Sequence, residues 1–92
     1  MRKITQNAVN AFMGRGKFAS GNTYSDGQAL FLHGNKIAEW INYDELWIST
    51  CGWPTSTTKE RLGGLPGVQV NHSQGILYLN GLPWDGQWIK VS

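Results

Sequence analysis

A chain of 92 residues, 40% hydrophobic and only 15% charged, is apolar enough to fold around a thin core and too apolar for disorder. Eight basic and six acidic residues leave a net charge of +2, well short of the basic stripe of a duplex-DNA binder. The single cysteine, Cys51, excludes an intrachain disulfide, and no apolar run approaches the roughly 20 residues that cross a bilayer.

The first element is a short amphipathic helix over 4–13. Thr5 is its expected cap, Ile4 packs on Val9 as a staple, and Ala8, Val9, Phe12 and Met13 share one face. Gly14 and Gly16 end it. Residues 17–26 are less regular, with a short strand at Lys17-Phe18-Ala19 before the turn-forming Gly21-Asn22. The clearest local signal spans 28–41, where Gly34-Asn35 reads as a two-residue hairpin loop. That register sets Leu32 opposite Ile37 and Gln28 opposite Ile41, with Phe31 facing Ala38 and Ala29 facing Trp40 on the other side. Leu46 and Ile48 then alternate with Trp47 in a third strand.

Thr57-Thr58-Lys59-Glu60 has the spacing of a capping box, with Thr57 at the N-cap, so a brief second helix is expected before Gly63-Gly64 and Pro66. Further strands are read at 68–70, 76–79 and 88–91, punctuated by Gly75, Asn80-Gly81 and Asp85-Gly86. The whole is a single two-layer α+β domain over residues 1–92. An antiparallel sheet of about five or six strands packs against the N-terminal helix and the second short helix. Leu30, Leu32, Ile37, Leu46 and Ile48 are expected to share one buried face with Val9 and Phe12.

Nothing in the sequence builds a catalytic constellation. His33 and His72 lie at separate strand ends with no second ligand at metal spacing, so no metal or other cofactor is implied. Cys51 reads as a small buried hydrophobe, and the six carboxylates are mostly turn or cap residues with no apolar setting to raise their pKa. A binding protein rather than an enzyme is expected.

The stretch 49–61 is dense in hydroxyls and carries Trp53, Lys59 and Arg61 beside the second helix's start. Unpaired N–H groups and the helix dipole favour an anion at such a terminus, and an indole could stack on a base. Trp53, Thr57, Thr58, Lys59 and Arg61 are therefore the candidate ligand-binding residues. Should they face inward or pair among themselves, a pocket built on them fails. Among the five tryptophans, Trp40 and Trp47 are read on one sheet face, Trp88 in the core, and Trp84 as either.

Several runs carry a resemblance. They are Leu32-His33-Gly34-Asn35, Leu46-Trp47-Ile48-Ser49, Thr57 to Leu62, Gly64-Leu65-Pro66-Gly67-Val68, and Tyr78-Leu79-Asn80-Gly81 with Trp84-Asp85-Gly86. With the opening Lys3-Ile4-Thr5, Ala8-Val9 and Ala11-Phe12, they resemble a group of small proteins encoded by tailed bacteriophages. The resemblance implies a phage accessory protein acting in the host-cell cytoplasm, and it brings no catalytic residues. Counter-defence by sequestering a nucleotide or cyclic-nucleotide signal is the leading expectation. Inhibition of a host protein through an apolar sheet face, and single-stranded nucleic-acid binding, are the alternatives. Apolar residues on both hairpin faces also predict a homo-oligomer, with no membrane partner.

Overall fold

The computed structural model describes residues 2–52 and 54–92. Helix α1 (Lys3–Met13) is followed by five strands, β1 (Lys17–Ser20), β2 (Thr23–Asp26), β3 (Ala29–Leu32), β4 (Asn35–Ile41) and β5 (Glu45–Ile48). Helix α2 (Ser56–Gly63) leads into β6 (Val70–Ser73), β7 (Ile76–Leu79), β8 (Leu82–Pro83) and β9 (Ile89–Lys90). All neighbours are antiparallel. One sheet runs β1-β2-β3-β4-β5-β9, and a second, three-stranded sheet runs β6-β7-β8. The two helices and the larger sheet form the expected α+β arrangement.

Helix α1 buries Thr5, Ala8, Val9 and Phe12, which recur at the three- and four-residue spacing of one helical stripe. The helix starts earlier than the sequence suggests. Arg2 holds the N-cap position, and Thr5 is a fully buried residue of the first turns rather than a cap. Glu60 of α2 accepts a hydrogen bond from the Arg2 backbone N–H at 3.3 Å, so one helix supplies the other's missing terminal partner. The two helices meet where Gly64 follows α2. A β-carbon there would stand 2.9 Å from Thr5 Cγ2 and 3.1 Å from Val9 Cγ2, so the close approach requires a glycine.

The central hairpin corrects the expected register. Its loop is His33-Gly34, both at positive φ (52° and 81°), and Asn35 is already in the strand. A type I′ turn needs two residues at positive φ, and here histidine rather than asparagine provides the first. Leu32 consequently pairs with Asn35 instead of Ile37, and Ala29 with Glu39 instead of Trp40. An irregularity at Leu30/Phe31 then absorbs one residue, which returns Leu30 to a position opposite Ala38. The bulge keeps Leu30, Leu32, Ile37, Leu46 and Ile48 on the buried side with Val9 and Phe12, so the shared face holds although the pairing does not.

Strand β2 is the element that the sequence conceals. Its inward residues are Thr23 and Ser25, polar side chains that give no apolar alternation. Trp40 and Trp47 also part company, because Trp40 pairs with Leu46 and Trp47 with Glu39. Trp40 is buried, stacks on Phe12 at 5.6 Å between centroids, and donates its Nε1–H to the Phe12 carbonyl at 3.1 Å. Trp88, expected inside, is 41% exposed, while Trp84 is buried at 9% with its Nε1–H bonded to the Gln87 carbonyl.

Candidate functional site

The hydroxyl-rich stretch folds around the start of α2, one residue pair earlier than the capping-box spacing suggests. Thr55, not Thr57, is the N-cap: its Oγ1 accepts the Thr58 backbone N–H at 3.1 Å. Glu60 is therefore not the reciprocal partner of a box. It turns instead toward α1, where it accepts from Arg2 Nε at 3.1 Å and from the Thr5 hydroxyl. The Thr5 hydroxyl, with further bonds and charge from Arg2, pulls the Glu60 carboxyl down to about 2 against the desolvation that opposes it.

Arg61 is the largest departure from expectation. It is 1% exposed, and its Nε donates to Thr23 Oγ1 at 3.0 Å while Nη1 reaches Thr5 Oγ1 and Glu60 Oε1. Burial pushes the guanidinium pKa downward, and the Arg2 charge adds to that, while Glu60 works against both. The side chain ties α2, α1 and β2 together through the polar residues that made β2 hard to recognise. It faces the interior and is not an anion ligand at the surface. Thr58 is likewise buried, its hydroxyl 3.0 Å from that of Thr55. Thr57 and Lys59 are half-buried, and Trp53 lies outside the described residues. Of the four expected anion ligands among the described residues, Arg61 and Thr58 thus turn inward, while Thr57 and Lys59 stay partly open to solvent. A basic residue in a short, polar helix reads as surface charge, and nothing in one dimension distinguishes it from a buried strut.

Space remains beside it. A cleft of about 240 Å³ opens between the β3–β4 turn and the start of α2, lined by Leu32, His33, Asn35, Ile37, Thr50, Thr55 and Thr58. Leu32 and Ile37 are buried core residues and form its apolar part, whereas an imidazole, an amide and three hydroxyls supply donors and acceptors. Thr50 is held from behind, since its N–H and Oγ1 both reach the Gly86 carbonyl at 3.0 and 3.3 Å. Gly86 has φ +83°, and a β-carbon on it would lie 2.4 Å from Thr50 Oγ1. The Asp85-Gly86 turn thus fixes one wall of the cleft from far along the chain. His33 and Asn35 were legible only as turn residues, because their neighbourhood with Thr50 and Thr55 is created by the sheet and by α2.

Among the described residues, no three His, Cys, Asp or Glu side chains stand close enough to share a metal ion. No helix among them is long and apolar enough to cross a membrane. Cys51 is half-buried, at φ 54°, with its thiol directed to the Lys36 carbonyl.

On the side of the larger sheet away from the helices, Tyr24 stacks on Phe31 at 5.6 Å. The paired positions there run Tyr24, Phe31 and Lys36 across β2, β3 and β4, and Glu39, Trp47 and Lys90 across β4, β5 and β9. Lys36 and Glu39 form an ion pair at 3.1 Å, so the face carries aromatics with nearly balanced charge.

A family model described as Kyanoviridae Gp96 protein matches residues 1–88, in accord with the resemblance to small phage proteins. Neither a curated protein nor a solved structure matches the chain.

Proposed function

We propose that this chain, which belongs to the Kyanoviridae Gp96 protein family, is a non-enzymatic phage accessory protein that binds the nucleoside end of a nucleotide ligand. The observation that carries this reading is the cleft between the β3–β4 turn and α2, with its apolar floor and hydrogen-bonding rim. Ligand sites combine these two features, the first for affinity and the second for orientation. At about 240 Å³ the cleft lies below the 300–1,000 Å³ of drug-sized sites, so it suits a base with its sugar rather than a whole dinucleotide. Arg61 has no part in it. Phosphates would lie outside, toward the open first turn of α2 and Lys59. Sequestration of a nucleotide immune signal, and hence counter-defence, is the role such binding would serve in a phage protein.

Calorimetry against nucleosides, nucleotides and cyclic dinucleotides tests the reading. Asn35→Ala should weaken binding about tenfold, the loss of one good hydrogen bond, with little change in melting temperature. His33→Asn keeps the left-handed turn, because asparagine tolerates it, and should weaken binding similarly. If none of these compounds binds the wild type, the cleft is only a packing defect. The second reading then takes over: a host protein bound through the Tyr24–Phe31–Trp47 face, which is open and aromatic. Single-stranded nucleic acid fits that face less well, since Glu39 pairs with Lys36 and offsets one of its two lysines.

A further inference from the structure

The C-terminal third of the chain leaves large apolar side chains in solvent. Leu82 is 70% exposed, and Ile76, Trp88 and Ile89 are between 39% and 47% exposed. Three of them, Leu82, Ile76 and Ile89, do not lie scattered. Ile76, Pro83, Trp84, Asp85 and Ile89 line one open depression of about 570 Å³. Leu82, Pro83, Trp84, Ile89 and Lys90 belong to a second, of about 310 Å³. The two share Pro83, Trp84 and Ile89, so they are lobes of one trough between the β7–β8 hairpin and β9.

We propose that this trough is the interface of a two-fold dimer, and that its occupant is a second copy of the chain. Three features favour that occupant. First, the lobes differ in charge, with Asp85 in one and Lys90 in the other, and neither residue belongs to an ion pair among the described residues. A two-fold axis sets residue i of one copy on residue j of the other and j on i, so the acidic lobe of each copy meets the basic lobe of its mate twice. Second, backbone pairing by an incoming extended peptide is obstructed. The groove's edges are β8 and β9, both two residues long, and Pro83 removes one of the few available N–H donors. Side-chain packing is what remains. Third, the size suits a weak dimer. Three partly exposed large side chains, Ile76, Leu82 and Ile89, present on the order of 300 Å², the size at which a monomer's largest apolar patch is often functional. Paired across a two-fold axis, two such patches with their rims fall below the 1,200–2,000 Å² of a stable specific interface, in the range of weak, transient complexes. A weak dimer, forming only at micromolar concentration or above, is therefore expected.

The test is sedimentation of the full chain over a concentration series from about 1 to 500 µM, a range that brackets micromolar dimerisation. The wild type should pass from monomer to dimer within it. Leu82→Glu should stay monomeric, with unchanged circular dichroism, because that side chain is already in solvent. Asp85→Lys and Lys90→Asp should each weaken the dimer at least tenfold. Mixed in equal amounts, the two charge variants should recover it as a heterodimer, since both contacts then join opposite charges. A wild type monomeric throughout, a Leu82→Glu dimer as tight as the wild type, or a soluble, folded pair of charge variants that fails to recombine would each overturn the proposal. If Asp85→Lys, which also removes the bond to the Gln87 N–H, does not fold, Lys90→Asp and Leu82→Glu alone decide it.

Discussion

Arg61 shows how far the environment of one side chain can reverse its meaning. An arginine held by two hydroxyls and a carboxylate at 1% exposure contributes to the fold, and removing it takes the buried donor from the Thr5 and Thr23 hydroxyls and the Glu60 carboxylate at once. Arg61→Ala should therefore cost about 3–5 kcal/mol, the usual loss when one member of a buried charged network is deleted. In a domain of this size each kcal/mol lowers Tm by about 4–8 °C, so a thermal melt should separate this outcome clearly from that of a surface residue. Arg61→Lys should recover little of it, because an ammonium cannot reproduce the fork of donors. Glu60 gives the same network a pH dependence. Its carboxyl titrates near 2 when folded, below its ordinary value of 4.5, so the unfolded chain binds the proton more readily. The stability it contributes is fully present above about pH 4.5 and is lost as pH falls toward 2. Acid titration of the melting temperature should show that loss, and Glu60→Gln should flatten it.

At the scale of elements, the start of α2 separates two threonines that look interchangeable. Thr55→Ala removes the hydroxyl that accepts the Thr58 N–H and should cost about 1 kcal/mol, whereas Thr57→Ala, which removes no cap, should cost under half that. Urea unfolding of the two variants settles which residue caps. The same comparison explains what the sequence made legible. Helix α1 was visible because Ala8, Val9 and Phe12 repeat at helical spacing, and both helices and most strands were found from such periodicity and from glycine punctuation. Strand β2 was not, because its inward positions are Thr23 and Ser25, chosen to meet Arg61 and the Gly16 carbonyl rather than hydrocarbon. The hairpin register failed for a related reason. His33 occupies a left-handed position that asparagine fills more often, and the bulge that restores the buried face leaves no mark in the alternation. The cleft was illegible altogether. It draws Leu32, His33, Asn35 and Ile37 from one hairpin and Thr50, Thr55 and Thr58 from a later segment, and only the folded sheet makes them neighbours.

For the whole molecule, the order of the larger sheet has a kinetic consequence. Strands β1 to β5 join successive neighbours through short turns, but the last place is taken by β9, where Ile48 pairs with Ile89 from the far end of the chain. The meander needs only local loop closures, which are fast, while β9 must wait for α2 and the three-stranded sheet to shorten the path back. It is also the least anchored strand of the larger sheet, held by two paired positions and by the bonds that link Leu46 with Val91 and Ser92. Folding is therefore expected to end with the docking of the C-terminal strand, and native fluctuations to begin with its release. Hydrogen exchange should find the Val91 amide protected by far less than the global unfolding free energy, and the β3–β4 amides by nearly all of it. Since β9 also supplies Ile89 and Lys90 to the C-terminal trough, protection of Val91 that rises with protein concentration would report assembly from inside a single chain.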